Sequence, residues 1–127
     1  MPGKHLYEYA TVRFVPRVER EEFLNVGVIL FCKNAKYLNC KFHIDIPKLS
    51  LFDCELEIEE LEKNLKAFSK ICLGDKDGGP IAEWERPDRF RWLTAHRSSS
   101  LQTSRPHNGF SDDLDMTLER LFSELVL

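Results

Sequence analysis

The chain has 127 residues, a formal net charge of −3 and 43% hydrophobic residues. This length suits one domain with one modest core, and we expect a single domain over residues 1–127. The acidic balance argues against a general nucleic-acid binder, because such proteins are usually basic overall. We find no signal-like start and no apolar stretch long enough to span a bilayer, so we expect a cytoplasmic protein with no membrane partner.

The first part of the chain predicts three strands. Residues 6–15 alternate apolar and polar side chains and end at Pro16, which has no N–H for a sheet ladder. Residues 25–32 are apolar on both faces, which is typical of a central strand covered on both sides. Gly27 within this strand indicates a bulge or a close backbone approach. Residues 37–44 alternate again, and we expect their odd-numbered side chains to point outward, with that of His43 in solvent.

The second part of the chain predicts helices. Residues 55–73 repeat apolar side chains at helical spacing, residues 86–95 form a short helix, and residues 112–125 form a final amphipathic helix. Residues 98–104 predict an extended segment, and residues 106–109 a turn. The order predicts an α+β fold, with a small antiparallel sheet of three to four strands and helices packed mainly on one face.

The cysteines predict no special chemistry. Cys32, Cys40, Cys54 and Cys72 are widely spaced without a Cys-x-x-Cys pair, so we expect reduced, mostly buried thiols. A zinc site that used Cys32, Cys40 and His43 has poor spacing. The acids that open the final helix are expected there because of the helix dipole. We therefore expect no metal site and no cofactor.

The strongest functional signal is a basic segment, residues 86–108, which has five arginines, two histidines and one acid. Guanidinium groups present a planar fork of donors that suits carboxylates and phosphates. Alternatively, these arginines pair with the acidic connection around Glu21 and Glu22, and the hydroxyl-rich run is a plain loop. The candidate anion-binding residues are Arg91, Arg97, Ser98, Ser99, Ser100, Thr103, Arg105 and His107.

A second candidate site surrounds the connection between the first two predicted strands. It consists of Arg13, Arg17, Glu21 and Asn25. These side chains either brace the end of the sheet or line a cleft together with the basic segment, and the sequence is compatible with both.

No catalytic residue is assigned. His96 and His107 flank the hydroxyl-rich run, but the sequence shows no Gly-x-Ser-x-Gly elbow and no orienting third group. We therefore favour a non-enzymatic interaction module. The alternative is an enzyme or ligand-binding domain for a phosphorylated or nucleic-acid ligand, in which arginines hold phosphate and a histidine moves protons. The residues of this alternative are Arg91, Arg97, Arg105 and His96 or His107.

Several blocks also resemble one bacterial family. They are residues 7–17, 21–31, 79–81 and 97–99, and the run Arg89-Phe90-Arg91-Trp92-Leu93. They resemble the family known as domain of unknown function 3037, and the resemblance extends into the final predicted helix. It implies no established activity and no catalytic set. Family members are often encoded beside HipA-type kinase-like proteins, which implies an accessory role with a kinase-like protein partner, nucleic acid being the less favoured partner.

Overall fold

The computed structural model describes residues 4–16, 22–51, 58–95 and 100–127. It confirms the α+β class. The elements in chain order are strands β1 (His5–Phe14), β2 (Leu24–Cys32) and β3 (Tyr37–Phe42), helices α1 (Ile46–Leu49) and α2 (Ile58–Leu73), a short 3-10 helix (Pro80–Glu83), helix α3 (Arg86–Leu93), strands β4 (Leu101–Thr103) and β5 (His107–Ser111), and helix α4 (Leu114–Leu125).

The sheet is antiparallel and has five strands, one more than the upper limit that we predicted. Its order is β3-β2-β1, and the remaining edge of β1 is shared by β4 and β5. The additional strand is β5, which begins inside the predicted turn at residues 106–109. Its Gly109 lies beneath the ring of Tyr7 on β1, because a Cβ atom there would be 2.4 Å from Tyr7 Oη. This glycine serves a close cross-strand approach rather than a turn.

One irregularity interrupts the ladder between β1 and β2. Val12 pairs with Gly27 and Arg13 pairs with Asn25, so Val26 is the extra residue of a bulge. A Cβ atom at Gly27 would be 2.2 Å from the ring of Phe42 and 2.7 Å from the Lys41 carbonyl oxygen. The bulge and the close approach predicted at this glycine are both confirmed.

Helices lie on both faces of the sheet. On one face, α2 and α3 cover the apolar residues of β1, and the rings of Phe31 and Phe90 stack with their centroids 5.0 Å apart. On the other face, α4 packs its apolar stripe against β2, including Val28 and Leu30. Strand β2 is therefore central and covered on both sides, as its apolar sequence predicts.

The predicted orientation of β3 needs a correction. Its odd-numbered residues do point away from α2, but α4 covers them. Tyr37 Oη donates to Asp115 Oδ1 at 2.7 Å, and the Lys41 ammonium pairs with Glu119. The apolar stripe of α4 requires a sheet face, and α2 and α3 already occupy the other one. His43 lies beyond the strand and is exposed, as predicted.

Candidate functional site

The structure separates the described members of the candidate anion set. Arg91 is exposed on α3, beside a shallow hollow formed with Trp84, Asp88 and Trp92. Thr103 pairs with Val12 and so faces α2 and α3, together with the cleft that Ser100 also lines. His107 pairs with Tyr9 and so lies on the α4 face, and Arg105 is exposed between β4 and β5. Arg97, Ser98, Ser99 and His96 lie outside the described residues.

The cleft that Ser100 and Thr103 line has a volume of about 270 Å³ and lies between α2, α3 and β4. Most of its described lining is apolar, including Phe68, Ile71 and Leu93. The Thr103 hydroxyl donates to the Thr94 carbonyl oxygen at 3.3 Å. Within the described part of the chain, no charged side chain lines this cleft.

A second feature is a strip of side chains on the α4 face of the sheet, beside the end of α4. Alternate residues of a strand point to the same face, about 7 Å apart. The cross-strand neighbours on β2 and β5 share that face. We define the polar strip as Tyr9, Thr11, Arg13, Asn25 and His107.

Aromatic rings lie at both ends of the polar strip. At one end, the rings of Tyr9 and His107 have centroids 5.3 Å apart. At the other end, the Arg13 guanidinium carbon lies 4.1 Å from the ring centroid of Phe23, which is 45% exposed. This cation–π contact restrains a side chain that would otherwise be flexible.

The centre of the polar strip contains unpaired polar atoms. Thr11 Oγ1, Arg13 Nε and Asn25 Oδ1 are buried, and none of them has a hydrogen-bond partner among the residues that the structure describes. The described residues contain one further atom of this kind, Arg89 Nε. Folded proteins pair nearly all of their buried polar groups, because each unpaired group costs about 1–3 kcal/mol. Three of these four atoms lie on two adjacent strands of the sheet.

The sequence identified this strip in part. Arg13 and Asn25 belong to the second candidate site, and the structure pairs them directly across β1 and β2. It also brings His107 of the basic segment to the same face, although not Arg91. Thr11 was missed, and its only sequence signal was its position on the polar side of the first strand. The other two members of the second candidate site, residues 17 and 21, lie outside the described residues.

Cys40 and Cys72 form a contact on the face of the sheet that α2 and α3 cover. Cys32, Cys40 and Cys72 are free thiols, and Cys32 and Cys72 are buried, as predicted, while Cys54 lies outside the described residues. The hydrogen bond from the Cys72 thiol lowers the pKa of Cys40, and Ser69 acts in the same direction. The same hydrogen bond, together with burial, raises the pKa of Cys72. The described residues contain no cluster of three or more His, Cys, Asp or Glu side chains suited to a metal ion.

In the described part of the chain, no helix is both long enough and apolar enough to cross a membrane.

Comparison with known proteins identifies the family. A family model described as "Protein of unknown function (DUF3037)" matches residues 9–126. Searches of curated proteins and of solved structures gave no match. The matched region contains all of β2 to β5, α1 to α4 and the polar strip, and the chain belongs to the DUF3037 family.

Proposed function

We propose that this chain is a non-enzymatic binding module that engages a protein partner through the polar strip. The observation that carries the proposal is the group of unpaired buried atoms on Thr11, Arg13 and Asn25. A protein retains such atoms at a cost in stability. They are buried in the free chain, so a partner supplies the missing hydrogen bonds by turning the half-buried side chains of Arg13 and Asn25 outward on binding.

The composition of the strip supports a protein partner. Arginine and aromatic side chains are enriched at protein interfaces. Here Arg13 rests on the exposed ring of Phe23, and Tyr9 contacts His107 at the opposite end. Tyr9, Thr11 and Arg13 project from β1, which has paired strands on both sides, so the backbone beneath the strip is held rigidly before binding.

The proposal also concerns the class of protein that the polar strip binds. The family resemblance suggests a HipA-type kinase-like protein, and His107 is the described residue through which the basic segment joins the strip. The phosphate or nucleic-acid alternative has less support, because Arg91 and the strip belong to different layers of the fold.

A comparative pull-down tests the proposal. The bait is the full chain as wild type, as Thr11→Val and as Thr103→Val, in which the substituted hydroxyl faces the opposite layer. We expect wild type and Thr103→Val to retain the same stoichiometric protein at moderate salt, and Thr11→Val to recover less of it. Melting curves of all three baits show that each is folded.

Two results would contradict the proposal. One is equal recovery of the protein partner by Thr11→Val and wild type, which would place the interface elsewhere. The other is recovery of nucleic acid whose binding falls steeply as the salt concentration rises. That result would favour the phosphate or nucleic-acid alternative, because nucleic-acid binding depends on counterion release.

A further inference from the structure

The two tryptophans of the sequence, Trp84 and Trp92, line the same hollow beside α3. In the described part of the chain, the other lining residues are Asp88 and Arg91, and the volume of the hollow is about 500 Å³. Trp84 is 45% exposed, and Asp88 and Arg91 are also exposed, so a partner reaches these side chains without any rearrangement. The polar strip lies on the α4 face of the sheet and α3 covers the other face, so the hollow is a separate surface.

The positions of both tryptophans are fixed before binding. The N–H of Trp84 donates to the Ile81 carbonyl oxygen at 3.0 Å, and its own carbonyl oxygen accepts from Arg89 Nη1 at 2.6 Å. Trp92 is half-buried in the last turn of α3 and packs against the core beneath that helix. Trp84 directly precedes the N-cap residue Glu85, so the helical rise separates the two tryptophans by about 12 Å along α3.

Asp88 and Arg91 bring unpaired charges into the hollow. Residues three and four apart on a helix have Cβ atoms about 5–6 Å apart, so Asp88 is a neighbour of both Arg91 and Trp92. Within the residues that the structure describes, the side chains of Asp88 and Arg91 have no ion pair or hydrogen bond, and the indole N–H of Trp84 has no acceptor. The hollow therefore offers free donors, the indole N–H and the guanidinium, and one free acceptor, the carboxylate.

Several kinds of ligand match only part of this hollow. It is open and shallow, whereas sites for small molecules enclose most of the surface of the ligand. A lone cation would stack on an indole and pair with Asp88 but would face the charge of Arg91, and a lone anion would meet the reverse conflict. A helix of a partner uses its backbone carbonyl groups internally, so it brings no backbone acceptor to the donors of the hollow.

A polyproline II segment matches the whole arrangement. Its backbone carbonyl groups make no internal hydrogen bonds, so they remain available to Trp84 and Arg91. Proline has no N–H group, so a proline-rich segment brings acceptors without adding backbone donors that would be left unpaired. Its apolar rings pack on aromatic side chains, as in other grooves that recognise such segments. At about 3.1 Å per residue, about four residues span the distance between the two tryptophans.

We propose that the hollow beside α3 binds a proline-rich segment of a protein partner, with an arginine next to the prolines. The indole rings of Trp84 and Trp92 contact proline rings. Trp84 Nε1 and the Arg91 guanidinium donate to backbone carbonyl oxygens of the segment, and Asp88 pairs with its arginine. This interaction surface is additional to the polar strip and independent of it.

The test is a fluorescence titration of the full chain with peptides that are acetylated and amidated at their ends. Because both tryptophans of the sequence line the hollow, intrinsic tryptophan fluorescence reports binding there. The probes are Arg-Pro-Pro-Ala-Pro-Pro, the same peptide with alanine in place of every proline, and the proline peptide with glutamine in place of arginine. We expect a saturable change with the first probe and none with the second. The third should bind about threefold more weakly than the first, which is the value of one exposed ion pair.

Variants of the chain assign the contacts, and melting curves show that each variant is folded. Trp84→Ala should weaken binding of the first peptide about thirtyfold, as for a central interface tryptophan, with Trp92 as the remaining reporter. Trp84→Phe keeps a ring but loses the N–H donor, so it should weaken binding about fivefold. Asp88→Asn should make the arginine and glutamine peptides bind equally. Arg91→Gln should weaken both, whereas the matched control Arg120→Gln, an exposed arginine on α4, should change neither.

Three results would overturn the proposal. They are equal binding of the alanine and proline peptides, no saturable change with any peptide, and tighter binding of a single-stranded RNA than of the first peptide at the same ionic strength. The RNA result is informative because bases also stack on tryptophan while arginine contacts phosphate.

Thr11→Val separates this inference from the proposed function. The substituted residue belongs to the polar strip, so peptide binding at the hollow should be unchanged, and weaker binding would contradict the independence of the two surfaces. If no peptide binds but Thr11→Val still recovers less of the protein partner, the hollow is not an interaction surface and the polar strip stands.

Discussion

Two buried threonines provide a direct test of whether the centre of the polar strip is unsatisfied. Thr11 on β1 and Thr117 on α4 are each 7% exposed. The Thr117 hydroxyl donates to the Asp113 carbonyl oxygen at 3.0 Å and contacts the hydroxyl of Ser111. Thr11 Oγ1 has no partner among the described residues. The two sites therefore match in residue type and exposure and differ in hydrogen bonding.

Replacement of each threonine by valine should change stability in opposite directions. Thr11→Val removes a hydroxyl that was desolvated without compensation, so we expect stabilisation by about 1 kcal/mol, at the low end of that penalty. Thr117→Val removes a hydroxyl that makes native hydrogen bonds, so we expect destabilisation by about 1 kcal/mol. Intrinsic helix propensity adds little, because Thr and Val are similar.

The assay is urea unfolding of the three proteins followed by circular dichroism, with thermal melts as a second readout. The two variants should differ by about 2 kcal/mol, which corresponds to about 8 °C in Tm for a domain of this size. If Thr11→Val loses as much stability as Thr117→Val, the Thr11 hydroxyl is already satisfied in the free protein. The central argument for the polar strip would then fail.

Three further predictions concern other parts of the fold. Gly27→Ala should destabilise the protein by about 3 kcal/mol in urea unfolding, because a Cβ atom there meets a ring at 2.2 Å and a backbone carbonyl oxygen at 2.7 Å. Burial and the hydrogen bond to Asp115 raise the pKa of Tyr37, so its contribution to stability is complete below pH of about 10 and decreases above it. Tyr37→Phe should therefore cost about 1 kcal/mol near pH 8 and less at higher pH. In a protein that lacks the other two cysteines, Cys72→Ala should raise the pKa of Cys40, read from thiolate absorbance, whereas Cys72→Ser keeps a hydrogen-bond donor and should not.

Each of these predictions has its own contradicting result. For Gly27, the decisive control is Gly27→Ala combined with Phe42→Ala: full recovery relative to Phe42→Ala alone would show that the backbone contact is unimportant. For Tyr37, the free energies of unfolding of wild type and Tyr37→Phe are compared from pH 8 to pH 11. A difference that stays constant over this range would contradict the raised pKa of Tyr37. For Cys40, identical titrations in the two Cys72 variants would show that the thiol hydrogen bond does not set its pKa.

The division between local and tertiary information is visible in particular elements. The apolar sequence of β2 was sufficient to predict a central strand covered on both sides, because burial on both faces leaves no polar alternation. The same holds for α2 and α4, whose apolar stripes repeat at helical spacing. Strand β5 was misread as a turn, since asparagine and glycine are turn residues and the ring of Tyr7 that makes Gly109 necessary is far away in sequence.

The sequence by itself determined the fold class, the central strand, the amphipathic helices and the presence of a polar side on β1, because these depend on periodic patterns of nearby residues. Only the tertiary structure decided that α4 covers the second face of the sheet and that the bulge at Val26 sets Arg13 opposite Asn25. It likewise decided that Arg91 and His107 lie in different layers. The physical reason is that hydrogen-bond pairing across strands and competition between helices for sheet faces join residues distant in sequence.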